Sequence, residues 1–466
     1  MIDHYDVAII GGGTGGLIAA DAARNFGLKV VLIEKGRMGG DCTWTGCVPS
    51  KALIHAAKVV HHASTAETFG LTMPKQQIDM HKVRKYVMGA IQEIYQHETP
   101  EVLRGEGIEV LQGMASFVDS HTILVDQQAI TAKKFIIATG SSPFIPPIRG
   151  LDSAAYFTNE EFFENTHLPK HLLIIGAGPV GCELGQAYHR LGAEVTLIDE
   201  ALLPGEEQQV SEVLSKVFKK EGINFLAGLV DSVGQSGSDI VLSIGEQEIH
   251  GDMLLLAAGR KAAIQSLKLE SAGVTTLEDG IVVDANLQTN VKHIYAVGDC
   301  VAGNDHFTHL AGWQAFQAVR NACLPGNDPG FSDSSPRGIF TDPEIAHVGP
   351  TEEKARQLYG DRVQVAHMPL DRVDRAVTHH DTEGYIKILY LANRRIIGAT
   401  IVAERAGDAI NEFVVAIDRK LKLEEAARSI HVYPTYGGSA QLLMSQAASQ
   451  AILSGPLGAV IKAMAS

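Results

Sequence analysis

Two stretches of this 466-residue chain carry the same glycine spacing at the same point of a strand, turn, helix, strand order. No other feature narrows the possible folds as much. In the first, the apolar run Tyr5-Asp6-Val7-Ala8-Ile9-Ile10 leads into Gly-Gly-Gly-Thr-Gly-Gly, a helical segment, and the run Lys29 to Glu34. In the second, His171 to Ile175 leads into Gly-Ala-Gly-Pro-Val-Gly, a helical segment from Cys182, and the run Glu194 to Asp199. Gly11, Gly13 and Gly16, and again Gly176, Gly178 and Gly181, fall where a βαβ unit must turn tightly, approach a pyrophosphate and pack helix on strand. The helix that follows points its free N–H groups at the anion. Glu34 and Asp199 each come 23 residues after the first glycine of their unit, where a carboxylate accepts ribose hydroxyls. One such fingerprint is a weak signal, but two in matching register predict two dinucleotide sites. After Asp199 comes Glu200-Ala201-Leu202-Leu203-Pro204, with no Arg or Lys to hold a 2′-phosphate, so NADH is expected over NADPH.

Composition removes several classes of function. The formal charge of −15 repels phosphate backbones and anionic lipid, so nucleic acid is not an expected partner. Five cysteines cannot staple a chain of this length, and its first residues lack the basic region of a secretory signal, so a reducing cytoplasm is expected. No apolar run is long enough to span a bilayer without polar interruption. Between Ser429 and Ile461 there is no Asp, Glu, Lys or Arg, yet Gln441, Ser445, Gln446, Ser449 and Gln450 interrupt the segment. It is expected to pack on its own domain or at a subunit interface rather than on a membrane.

The chemical centre lies in Gly-Gly-Asp-Cys-Thr-Trp-Thr-Gly-Cys-Val-Pro-Ser-Lys, which sets Cys42 and Cys47 five positions apart. Zinc takes closer cysteine pairs in two sets, and no second pair is present, so no metal is expected. Two inert buried thiols are the plain alternative to a redox pair. On a continuous helix, residues five apart are too distant for a disulfide, so a redox pair requires the backbone between them to deviate, with Gly46 to help it. Pro49 is tolerated only in a first helical turn, which places a helix start near Cys47. A thiolate there gains from the helix dipole and from Lys51 one turn on, leaving Cys42 as the thiol free to attack a substrate.

These motifs, in this order, resemble the class I pyridine nucleotide-disulfide oxidoreductases, the group of dihydrolipoamide dehydrogenase, glutathione reductase and mercuric reductase. The resemblance runs from Tyr5 to about residue 440. It includes Phe-Ile-Ile-Ala-Thr-Gly-Ser-Ser-Pro at 135–143, Ala-Ala-Gly-Arg at 257–260, Ile-Tyr-Ala-Val-Gly-Asp-Cys at 294–300 and Phe-Thr-Asp-Pro-Glu-Ile-Ala-His-Val-Gly at 340–349. It implies an α/β fold with two Rossmann-like dinucleotide-binding domains and a C-terminal α+β dimerisation domain. FAD would then fill the first site, its ADP half on Gly11, Gly13, Gly16 and Glu34, with Lys51, Gly113, Thr139, Gly140 and Asp299 along the cofactor. NAD would dock at Gly176, Gly178, Gly181, Asp199 and Gly259. Glu183 would pair with Lys51, Cys47 would lie next to the flavin, and Cys42 would be the interchange thiol. Cys182 and Cys300 are expected to be packing residues. The motif order implies an FAD region at 1–150, an NAD region at 151–275, a central region at 276–338 and an interface region at 339–466. In the last, Ile386–Leu389 and Ile396–Val402 read as antiparallel strands, followed by a helix around Asp408 to Leu421. A homodimer with composite active sites is implied.

One departure limits the substrate. Family members that exchange thiols carry a His before a Pro-Thr and a Glu five residues after that His; here Tyr433 and Gly438 stand in those places. Tyr433 can donate a proton but is a poor base at neutral pH, whereas His431 titrates in the useful range. In an extended segment the two side chains would point the same way. Mercuric reductases share a tyrosine but bear a cysteine pair in the tail, and here the last cysteine is Cys323. Three functions therefore stay open: an NADH:disulfide oxidoreductase acting on a lipoamide-like, small-molecule or carrier-bound disulfide; a flavin-dependent reductase of metal ions, quinones or oxygen; and a redox sensor with vestigial turnover.

Overall fold

A computed structural model describes residues 3–237, 239–454 and 464. The chain divides into two compact units, one of residues 1–198 with 228–331 and one of 199–227 with 332–466.

In the first unit, the strand Asp3–Ile10 lies between Val30–Glu34 and Gln128–Ile137, parallel to both, and Glu109–Gln112 and Ile294–Ala296 extend the parallel sheet. These strands read as nearly continuous apolar runs because helices or loops cover both faces. Tyr5, Ala8 and Ile10 are buried among Val31, Phe117 and Phe135, while Val7 and Ile9 are buried among Ala19, Ala23 and Val319. A second parallel set places His171–Ile175 between Glu194–Asp199 and Met253–Leu256. The two fingerprints are built alike. A Cβ on Gly11 would overlap the carbonyl oxygen of Ala138, and one on Gly176 would overlap that of Ala257. Gly16 and Gly181 likewise admit no Cβ, because the carbonyls of Gly11 and Gly176 occupy the space. Cys182 and Cys300 are fully buried packing residues.

The second unit centres on an antiparallel sheet ordered 336–339, 344–348, 396–403, 385–391, 363–369. Alternation along the strand Tyr385–Leu391 sorts the two faces. Ile386, Ile388 and Tyr390 meet the helices Asn411–Asp418 and Tyr436–Leu453 through Phe413, Ala440, Leu443 and Met444. Lys387, on the other face, is buried against Glu207 at 2.8 Å and Glu352 at 3.5 Å. The expected strands are present as Tyr385–Leu391 and Ile396–Ala403. The helix expected around Asp408 to Leu421 is instead two short helices, Ala406–Ala409 and Asn411–Asp418. The described part of the uncharged tail packs within its own unit, and residues 455–461 lie outside the described residues. Among the described residues no helix is long and apolar enough to cross a membrane.

Candidate active site

The backbone between the cysteines breaks as a redox pair requires. Cys42 sits in the short helix Gly40–Trp44, and Cys47 is the first residue of a separate helix, Cys47–Ser64. Gly46 joins them, and a Cβ there would lie 2.9 Å from the Asp41 carbonyl oxygen, too close for any other residue without a shift. Pro49 falls within the first turn, and no side-chain cap competes for that turn's N–H groups.

Both sulfurs are free thiols within hydrogen-bonding reach of each other. The Cys42 thiol donates to Cys47 and is pushed far up as a result, with burial adding to the effect. Cys47 is pulled down to about 6, first by that hydrogen bond, against the cost of burial, and further by Thr308 and the positive charge of Lys51. The Thr308 hydroxyl lies 3.2 Å from the Cys47 sulfur. When the pair is reduced, these surroundings favour the thiolate at Cys47 and the protonated form at Cys42. Lys51 forms an ion pair of 2.8 Å with Glu183, a carboxylate buried in the helix Pro179–Leu191.

The expected cofactor residues cluster at the ends of the parallel strands. The Glu34 carboxylate accepts the amides of Gly12 at 2.6 Å and Gly36 at 2.7 Å, which fixes it at the edge of the glycine turn. Gly113 donates its amide to the Glu34 carbonyl at 2.9 Å. Thr139 and Gly140 follow Gln128–Ile137, with the Thr139 Cα beside Gly11. Asp299 accepts the Ser141 hydroxyl at 2.6 Å. Asp199 ends the strand that closes the second glycine repeat and accepts the Glu200 amide at 2.7 Å.

This donor set fits dinucleotides. A Cβ on Gly13 would meet only the Gly40 Cα, at 3.8 Å, and one on Gly178 or Gly259 would meet no described atom within 4 Å. The bare backbone at these points can be approached closely. Helices Thr14–Asn25 and Pro179–Leu191 both start at a glycine N-cap with no side-chain capping bond, so their first N–H groups remain available to phosphate oxygens.

His431 and Tyr433, whose side chains an extended segment would point the same way, bond different partners. His431 Nε2 lies 2.9 Å from the Glu412 carboxylate and Nδ1 3.0 Å from the Ser429 carbonyl oxygen. The exposed Tyr433 hydroxyl donates to Asp374 at 2.6 Å, and that bond raises the phenol above its ordinary value. The segment turns each side chain onto a carboxylate of a different helix. Among the described residues no cluster of His, Cys, Asp and Glu could hold a metal ion.

Sequence reading missed Thr308, Arg260, Asn159 and Asp41 around the thiols, and Glu412 and Asp374 around the C-terminal segment. Thr308 is 261 positions from Cys47, and nothing in its local pattern marks it. Arg260 and Asp41 do stand inside recognised motifs, so a charge count within those motifs would have paired them.

Comparison with known proteins agrees with this geometry. Residues 5–323 match the family described as pyridine nucleotide-disulphide oxidoreductase, and residues 335–443 match its dimerisation domain. The chain is 36% identical over 450 residues to a dihydrolipoyl dehydrogenase of Thermus scotoductus, covering 92% of this chain and 95% of that one. It is 35% identical over 440 residues to a mercuric reductase of Staphylococcus aureus, covering 92% and 80%. Among solved structures it is similar to the HOCl-induced flavoprotein disulfide reductase RclA of Escherichia coli, with a TM-score of 0.85, 26% identity, and coverage of 95% and 99%. Twin glycine turns, a split cysteine pair with one stabilised thiolate, and a matching dimerisation region converge on one conclusion: the chain belongs to the pyridine nucleotide-disulphide oxidoreductases, a family of FAD-dependent enzymes.

Proposed function

We propose that this enzyme draws electrons from NADH and delivers them through the Cys42–Cys47 pair to a small or carrier-bound disulfide. The observation that carries the reading is the placement of the sulfurs, Cys42 in one short helix and Cys47 opening the next, 3.2 Å from the Thr308 hydroxyl, surroundings that favour a thiolate at Cys47. FAD, bound along Gly11, Gly13, Gly16, Glu34, Gly113, Thr139, Gly140 and Asp299, supplies the two-electron relay between nicotinamide and disulfide. Gly176, Gly178, Gly181, Asp199 and Gly259 hold the nicotinamide nucleotide. Two electrons and one proton convert the disulfide to a Cys47 thiolate and a Cys42 thiol. Cys42 then attacks the substrate disulfide to form a mixed disulfide, and its proton leaves with the first released sulfur, which departs as a thiol. The Cys47 thiolate attacks the Cys42 sulfur, releases the second sulfur as a thiolate and restores the starting bond. Lys51, fixed by Glu183, keeps a positive charge near Cys47 throughout. The match to the dimerisation domain supports a homodimer, in which the segment around residues 431–438 would reach the partner's thiols.

A second reading, reduction of metal ions, quinones or oxygen, is favoured by the state of His431 and Tyr433. Both nitrogens of His431 already face acceptors, and a phenol bound to a carboxylate is a proton donor rather than a base. An acceptor that needs no base to deprotonate Cys42 suits that arrangement. Anaerobic titration with NADH and NADPH, followed by lipoamide, oxidised glutathione, quinones and Hg²⁺ as acceptors, tests both. Turnover of a disulfide that vanishes in Cys42→Ser supports the first reading. Activity that survives Cys42→Ser supports a flavin-direct acceptor. Negligible consumption of either nucleotide with every acceptor overturns both, and a binding partner that responds to the Cys42–Cys47 oxidation state would then point to a sensor.

A further inference from the structure

We infer that Arg260 is a positioning residue of the thiol pair, holding the turn between Cys42 and Cys47 through Asp41 and neutralising the Asp41 carboxylate. The inference rests on the reading of Cys42 and Cys47 as the redox centre.

Asp41 directly precedes Cys42, and its two oxygens are fully engaged. Arg260 Nη2 lies 2.8 Å from Oδ2. The Asn159 amide donates to Oδ1 at 3.1 Å, and the Thr45 hydroxyl donates to the same oxygen. Asn159 also donates to the Thr45 carbonyl at 2.9 Å, so one amide ties Asp41, before Cys42, to Thr45, within the turn. Arg260 is itself rigidly placed. It begins the strand Arg260–Ala262, paired with Ser141–Pro143, and its guanidinium donates to the Ser141 hydroxyl at 2.7 Å and the Ser141 carbonyl at 3.1 Å. That hydroxyl donates in turn to Asp299 at 2.6 Å. One planar cation with several donors thus spans the redox turn and Ser141, whose hydroxyl bonds Asp299, an expected flavin contact.

Electrostatics gives the arrangement a consequence. Asp41 opposes the Cys47 thiolate, whereas Lys51 favours it. With Arg260 in place, the Asp41 charge is paired at short range and its field at the sulfur is reduced. Without Arg260, the same carboxylate faces the thiolate unpaired, and the turn loses its anchor to Ser141.

The test is the pH dependence of iodoacetamide alkylation of the reduced holoenzyme, reading label on Cys47 by tandem mass spectrometry of the peptide carrying both cysteines. The wild-type midpoint is expected near about 6. Arg260→Gln should raise it by about one pH unit, roughly a tenfold loss of thiolate below the midpoint. The double variant Asp41→Asn with Arg260→Gln should return it toward wild type, and Arg260→Lys should fall between. An unchanged Arg260→Gln midpoint, or a double variant that stays at the Arg260→Gln value, overturns the inference. Should Arg260→Gln not fold, the isosteric Asp41→Asn alone decides: a lowered midpoint supports the inference and a raised one overturns it. A wild-type midpoint at the ordinary thiol value would instead strike the proposed function, so the two failures are distinct.

Discussion

At the scale of single residues, the Cys47 thiolate depends on groups from separate stretches of chain: Cys42 beside it, Lys51 one turn on, and Thr308 at the start of another helix. Thr308→Ala removes one hydrogen bond to the thiolate while leaving the charges in place. Its alkylation midpoint should rise by about one unit, since a hydrogen bond to a charged group contributes about 1.5 kcal/mol at the lower end and one unit is about 1.4 kcal/mol. The sign of the pH dependence follows from the direction of the shift. The depressed thiolate is half formed near pH 6 and is lost as pH falls through that value, so thiol-dependent turnover should decline on the acid side through about 6. Stopped-flow rates of mixed-disulfide resolution between pH 5 and 8 would check this. Of the C-terminal pair, Tyr433 is the exposed donor and His431 is bound at both nitrogens. Tyr433→Phe should therefore lower disulfide turnover more than His431→Ala, and the reverse order in steady-state kinetics would return the proton-transfer role to His431. The cysteines and Lys51 were legible in the sequence because their chemistry depends on short spacing. Thr308, Asn159 and Glu412 were not, because each enters only through a contact made across distant chain.

At the scale of elements, the two glycine turns make parallel demands for separable purposes. Gly16 and Gly181 each press against the carbonyl of the first glycine in their turn, so an added methyl group must push helix from strand. Overpacking of this kind costs about 1–3 kcal/mol. Gly16→Ala should purify with depleted flavin, read from the visible spectrum. Gly181→Ala should keep its flavin and show a much weaker affinity for the nicotinamide nucleotide, read from the KM. Loss of flavin in both, or in neither, would contradict the assignment of one cofactor to each turn. The βαβ units were readable in advance because strand, turn and helix are contiguous and their glycines answer to local sterics. The helix expected around Asp408 was less readable. The run is helical in composition, but its residues divide between two short helices as Ala406 and Phe413 are both buried against the sheet.

At the scale of the whole molecule, the second unit buries a polar cluster opposite its apolar core. Lys387 bonds Glu207 at 2.8 Å, and His347 donates to or accepts from Thr400 at 2.9 Å and meets the Gly349 carbonyl at 2.7 Å. Burial, aided by Arg337, pulls His347 down to about 4. A histidine whose folded value lies below its unfolded one near 6.5 favours the neutral form. The unfolded chain therefore takes up the proton first, and stability is lost as pH falls from about 6.5 to about 4. Thermal midpoints of the protein should drop across that window and flatten in His347→Gln. Lys387→Met strands Glu207 in a buried site, and about 3 kcal/mol of stability should go with it in chemical denaturation. The proposed composite site makes a further demand on the assembly. Mixing Cys42→Ser chains with Tyr433→Phe chains under subunit exchange should regenerate about a quarter of the wild-type sites, since only mixed dimers carry one intact pair. No recovery would argue that each chain uses its own C-terminal segment.

What the amino-acid sequence determined by itself was every feature set by short-range geometry: two dinucleotide turns, a cysteine pair astride a helix start, and the absence of a His and Glu from their family places. Those constraints act over a few residues, through steric exclusion and backbone reach, so residue order is enough to state them. The tertiary structure alone decided which groups complete the chemistry. Packing brings Thr308 to Cys47, Arg260 to Asp41, and separate carboxylates to His431 and Tyr433. Hydrogen bonds and ion pairs act over a few ångströms in space regardless of separation along the chain, and only the folded backbone sets those distances.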